Sequence, residues 1–75
     1  MKLEEALRVP KGVFRVFSLD NKSDFEILGD YSLLDIAVDM AIQQQASEDK
    51  RKTGKGINVI GNGAVLYPNC SLYGV

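Results

Sequence analysis

The spacing of the apolar residues changes once along this chain and then changes back, and this constrains the fold more than any other feature. Between residues 33 and 48 the apolar side chains recur at helical spacing. On either side of that stretch they fall into short runs rich in valine, isoleucine and phenylalanine, which are typical of strands. The sequence therefore predicts one amphipathic helix between two groups of strands.

Two strand-like runs precede the helix. Residues 12–19 (GVFRVFSL) carry no helical stripe, and residues 25–30 (FEILGD) alternate, with Phe25 and Ile27 on one face. The short polar segment 20–23 between the two runs suits a hairpin loop. We therefore expect these runs to pair as antiparallel strands.

The predicted helix runs from Leu33 to about Glu48. Ser32 is followed three residues later by Asp35, a variant of the capping box, so Ser32 is the expected N-cap. A helix turns by about 100° per residue, which places Asp35, Asp39 and Gln43 on the side away from the core. The opposite side collects the residues expected to face the core, namely Leu33, Leu34, Ala37, Met40, Ala41 and Gln44.

A second hairpin follows the helix. Residues 57–60 and 64–67 flank Asn62-Gly63, a pair favoured in tight turns that need positive φ at both central residues. The order is ββαββ, which predicts a single α+β domain over residues 1–75: a four-stranded antiparallel sheet with the helix packed on one face. Residues 1–10 are expected to form a weakly ordered or short helical arm, and residues 68–75 a short edge strand or a tail.

Composition argues against most chemistry. The chain has 75 residues, no histidine and one cysteine, Cys70, so neither a histidine base nor an internal disulfide can form, and we expect a reducing, cytoplasmic setting. No apolar run reaches the roughly 20 residues that cross a membrane. The segment 20–26 lacks the glycine of an EF-hand, and 53–56 fails the Walker pattern. We expect a non-enzymatic protein without metal, cofactor or membrane association.

Apolar residues on both faces of the predicted sheet point to an interaction surface. One helix covers one face, so aromatic and valine side chains remain on the other. The proposed anchors are Phe17 and Tyr67, supported by Val13 and Val65, and the partner is another protein or a second copy in a homodimer of micromolar affinity. The alternative is that a terminal segment of the same chain folds over this face.

Charge is distributed unevenly. Residues 1–49 hold all ten acids and five basic residues, whereas residues 50–75 hold four basic residues and no acid: Lys50, Arg51, Lys52 and Lys55. Lys50, Arg51 and Lys52 complement the negative end of the helix dipole. An alternative function is weak nucleic-acid binding by this basic loop with the sheet aromatics Phe17 or Tyr67. A third is inhibition by an acidic side that mimics phosphates.

Overall fold

The computed structural model describes residue 5, residues 7–20, residue 22 and residues 24–68. Within these residues it contains four strands and one long helix. In chain order the elements are β1 (Phe14–Leu19), β2 (Phe25–Tyr31), α1 (Leu34–Arg51), β3 (Gly56–Gly61) and β4 (Ala64–Tyr67). The predicted ββαββ order is therefore confirmed.

The four strands form one antiparallel sheet. Their order is β2-β1-β3-β4, so each predicted hairpin forms and the two hairpins join through β1 and β3. Asn62 and Gly63 have φ angles of 52° and 79°, as a tight turn of this kind requires. The α+β class and both hairpins follow the sequence prediction.

The segments at the two ends are only partly described. The Arg8 N–H donates to the Glu5 carbonyl at 3.2 Å, which forms one turn within the expected N-terminal arm. The rest of the predicted helical arm, and the predicted edge strand or tail after Pro68, lie outside the described residues.

The helix begins one residue later than predicted. Its N-cap is Leu33, in an extended conformation (φ −120°, ψ 128°), and no side chain caps the first turn. The prediction that Ser32 is the N-cap is therefore wrong. Because Tyr31 still belongs to β2 and Leu33 remains extended, the Ser32 hydroxyl is one residue too far from the free N–H groups of the first turn.

The helix also ends later than predicted, at Arg51 rather than near Glu48. Lys52 closes it in the left-handed conformation, with φ 56° and ψ 43°. The N–H groups of Lys52 and Thr53 donate to the carbonyls of Asp49 and Glu48, each at 3.2 Å. Two residues assigned to the basic loop, Lys50 and Arg51, therefore belong to the last helical turn.

The core lies between the helix and one face of the sheet. The helix contributes two alanines, Ala37 and Ala41, both fully buried. The sheet contributes Val16, Ile57 and Val59, and three half-buried aromatic residues pack around this cluster: Phe14, Tyr31 and Tyr67. The large side chains are thus on the sheet side of the contact, and the helix meets them with small ones.

Candidate interaction surface

Two residues at the centre of the sheet face that lies away from the helix are buried. Phe17 and Ile60 alternate with the core residues Val16 and Val59, so they lie on this second face. Only 4% of Phe17 and 5% of Ile60 is exposed. Phe17, the first proposed anchor, therefore has almost no surface to offer a partner in this conformation.

The second proposed anchor, Tyr67, lies on the other face. Val65 pairs with Ile60 but Tyr67 pairs with Val59, because Leu66 is an extra residue in β4. This bulge places Val65 and Tyr67 on opposite faces, whereas simple alternation places them together. Tyr67 packs against the helix-facing core, and Val65 is half-buried. The structure therefore does not bring the predicted anchors together in one patch; Val13, just before β1, is also half-buried.

The large exposed apolar side chains lie mainly on the helix and at its start. Within the described residues, Leu33 is 58% exposed, Ile42 49%, Ile36 45% and Met40 40%. Sequence analysis predicted Leu33, Leu34 and Met40 on the core side, and the structure corrects all three, since Leu34 is also 37% exposed. Alanines at positions 37 and 41 let the helix lie close to the sheet, which leaves the longer side chains at the flanks of the contact.

The side of the helix that points directly away from the sheet carries four exposed residues, Asp39, Gln43, Ala46 and Lys50. Their spacing of four, three and four residues keeps them on one line along a helix. We call this line the outer stripe. An acid stands at one end, a base at the other, and Ile36 and Ile42 lie on either side of it.

A side-chain amide holds the helix against β3. Gln45 Oε1 accepts a hydrogen bond from the Ile57 N–H at 2.8 Å, and its Nε2 donates to the Lys55 carbonyl at 3.1 Å. β4 pairs with β3 only from Val59 onward, so the amide bonds to the start of β3 and to the residue before it, where β4 does not reach. This contact fixes which side of the helix faces outward.

Glu48 secures the end of the helix. Its carboxylate is buried and accepts hydrogen bonds from Gln44 at 3.0 Å, from Arg51 at 2.9 Å and from the Thr53 hydroxyl. The Thr53 hydrogen bond does most to hold the pKa of Glu48 below its usual range, and desolvation opposes it. This network explains why the helix continues past residue 48.

The predicted basic residues are not equivalent. Lys50 and Lys52 are exposed, whereas Arg51 forms an ion pair with Glu48 at 2.9 Å. Lys55 is half-buried and borders an open hollow of about 240 Å³ that is lined mostly by other groups: Ser18, Asp20, Asp24, Phe25 and Glu26. Three carboxylates at this hollow make it unfavourable for a phosphate.

The acidic loop between β1 and β2 has a structural role. The Asp20 carboxylate accepts hydrogen bonds from the backbone N–H groups of Lys22 at 2.8 Å and Asp24 at 2.9 Å. On β2, Asp30 forms an ion pair with Arg15 at 2.8 Å, and this hydrogen bond is the main cause that lowers the pKa of the Asp30 carboxyl. Both contacts organise the first hairpin.

Among the described residues, no cluster of three potential ligands is arranged to hold a metal ion. The helix in this part of the chain is not apolar enough over its length to cross a membrane.

The outer stripe could not be recognised from sequence as a surface of special interest. Asp39 and Gln43 were predicted to face solvent, which the structure confirms, but Ala46 and Lys50 were placed near or beyond the helix end. The extension to Arg51 lengthens the stripe by one turn.

Comparison of the chain with protein-family models, with curated proteins and with solved structures finds no match in any of the three.

Proposed function

We propose that this chain is a small non-enzymatic interaction or regulatory module that binds another protein chain. The observation that carries the proposal is the arrangement of helix α1, whose buried apolar residues are both alanines while Ile36, Met40 and Ile42 remain 40–49% exposed. Ile36 and Met40 lie one helical turn apart on the same side of the helix, and neighbouring exposed apolar side chains are typical of protein-binding surfaces. The helix is therefore a better candidate surface than the sheet face on which Phe17 is buried.

Size and composition support this proposal. A chain of 75 residues buries a smaller fraction of its unfolded surface than a larger domain does. Large apolar side chains left in solvent therefore forgo a stabilisation that a bound partner can supply. The single cysteine, Cys70, supports placing the module in a reducing compartment such as the cytoplasm.

The experiment compares two variants in capture from extracts of the native cell. Ile36→Gln/Met40→Gln changes the helix surface, and Leu28→Gln changes an exposed leucine on β2 as a matched control. We expect a specific protein, or the chain itself, to be retained by the wild type and by Leu28→Gln and lost by the helix variant. Equal retention by all three proteins contradicts the proposal.

Nucleic-acid binding is tested separately, by titrating the wild type, the helix variant and a charge-reversed variant with single-stranded RNA or DNA at several salt concentrations. Phosphate contacts make binding strongly dependent on salt. Steep salt-dependent binding of single-stranded RNA or DNA that is lost on charge reversal at Lys50, Lys52 and Lys55, but not in the helix variant, favours the nucleic-acid alternative over the proposed function.

A further inference from the structure

We infer that the partner of the helix surface is a second copy of this chain, bound with the two α1 helices antiparallel and their outer stripes in contact. This inference rests on the proposed function and names its partner. It follows from the order of the residues in the stripe, which is acid, amide, alanine and base: Asp39, Gln43, Ala46 and Lys50.

The order of side chains in the outer stripe is complementary to the same order read in the opposite direction, as on an antiparallel helix. Two antiparallel copies related by a two-fold axis midway between Gln43 and Ala46 place Asp39 of each chain opposite Lys50 of the other. The same symmetry places Gln43 opposite Ala46, so a long side chain meets a short one. An isologous interface requires this kind of self-complementarity.

The length of the helix suits this register. Asp39 and Lys50 are eleven residues apart, or about 16 Å along the helix axis. Pairing them aligns residue 38 of one copy with residue 51 of the other, so about 14 residues of each helix overlap, roughly 21 Å. Met40 and Ile42 lie within the overlap, one on each side of the stripe, where the partner helix reduces their exposure to solvent, and Ile36 lies two residues outside it.

Electrostatics favour a second copy over a generic apolar partner. Asp35 and Asp39 are exposed in the first half of the helix, and Lys50 and Lys52 are exposed at its end. Antiparallel helices also place the positive end of each dipole beside the negative end of the other. The net charge of −1 per chain opposes association only weakly.

The edge strand β2 offers a poorer route to a dimer. It contains a bulge opposite the Val16–Phe17 step, and Glu26 and Asp30 are exposed along it. Bulges and edge charges hinder strand-to-strand association. Symmetric pairing about Leu28 also places Glu26 opposite Asp30, which brings two carboxylates together.

The test is a charge swap across the two-fold axis, read by sedimentation equilibrium between about 5 and 500 µM, the range that brackets a micromolar dissociation constant. The wild type is expected to show a monomer–dimer equilibrium. Asp39→Lys and Lys50→Asp each replace two attractions by two repulsions and are expected to weaken the dimer at least tenfold. The double variant Asp39→Lys/Lys50→Asp restores the pairing with its sign reversed and is expected to recover wild-type affinity within about threefold.

Two exposed residues away from the helix serve as matched controls. Asp24→Lys and Lys11→Asp make the same changes in net charge and are expected to leave the dimer unchanged. Circular dichroism of every variant confirms that it is folded. Weakening by the controls as strong as that by the stripe variants assigns the effect to net charge and overturns the inference.

The remaining outcomes separate this inference from the proposed function. A wild type that stays monomeric at the highest concentration overturns the second copy as partner. A dimer that the single variants weaken and the double variant does not restore overturns the antiparallel register. In both cases the proposed function still depends on the capture experiment with Ile36→Gln/Met40→Gln.

Discussion

The two sides of helix α1 reverse the usual relation between side-chain size and burial. On the inner side, Ala37 and Ala41 are fully buried, while Ile36, Met40 and Ile42 at the flanks and outer side are about half exposed. The inner side is set by contact with the bulky residues of the sheet. The outer side has no such constraint within the described part of the chain, so its apolar content calls for another explanation.

This difference teaches that proximity to the sheet, rather than hydrophobicity, decides which helical residues are buried. The sheet already supplies Val16, Ile57 and Val59 to the core. Close packing against these side chains leaves room for a methyl group and not for a longer chain. The same substitution on the two sides of the helix should therefore have very different effects.

The largest expected effect is that of Ala41→Leu. Three additional carbon atoms at a fully buried position overpack the contact with the sheet, and we expect a loss of about 2–3 kcal/mol in the free energy of unfolding. Urea denaturation at low protein concentration measures it. Ala46→Leu makes the same change at an exposed position and is expected to shift stability by less than about 0.5 kcal/mol. Equal effects at both positions contradict the assignment of inner and outer sides.

The next effect tests the hydrogen bonds that orient the helix. Gln45→Ala removes the partners of the Ile57 N–H and the Lys55 carbonyl, and we expect a loss of about 1–2 kcal/mol. Gln43→Ala is the control, because Gln43 is exposed on the outer stripe, and should change stability by less than about 0.5 kcal/mol. Hydrogen exchange should also be faster at the Ile57 amide in Gln45→Ala alone. Unchanged exchange at that amide contradicts the contact.

The element order could be predicted because it depends on local signals. The change in apolar spacing and the Asn62-Gly63 pair are visible in the sequence, and both correspond to observed elements. The C-terminal end of the helix depends on side-chain contacts with a residue beyond the helix. Glu48 is buried by a network that includes Thr53, beyond the helix, and no propensity rule anticipates that network.

The candidate site was harder to predict than the fold. The extra residue Leu66 in β4 moves Tyr67 to the opposite face, so alternation wrongly placed Val65 and Tyr67 together. Apolar residues also occur around most of the helix, and their pattern alone does not select the alanines as the buried side. Both errors arise because the face of Tyr67 and the buried side of the helix are determined by tertiary packing, and the sequence pattern is compatible with more than one arrangement of each.

A smaller effect, confined to acidic pH, should come from Glu48. Its pKa is lowered in the folded protein, so the stability it contributes is fully present above the ordinary glutamate pKa of about 4.3 and is lost as the pH falls through the lowered value. Urea midpoints between neutral pH and about pH 3 should therefore converge for the wild type and Glu48→Gln as the pH falls. Thr53→Val removes the main hydrogen bond to the Glu48 carboxylate. In that background, the difference in urea midpoint between Glu48 and Glu48→Gln should be smaller at neutral pH. A constant difference at every pH contradicts this role.

The smallest effect is expected at the start of the helix, where Leu33 is the observed N-cap and Ser32 was the predicted one. Ser32→Ala should change the free energy of unfolding by less than about 0.5 kcal/mol, since no side chain caps the first turn. Leu33→Asp should stabilise the protein by about 0.5–1 kcal/mol, because Leu33 is 58% exposed and its extended backbone lets a carboxylate accept a hydrogen bond from the first turn. Thermal and urea unfolding of both variants measures the pair. A loss near 1 kcal/mol in Ser32→Ala, the usual cost of removing a capping serine, would instead place the N-cap at Ser32 and shift the helix start by one residue.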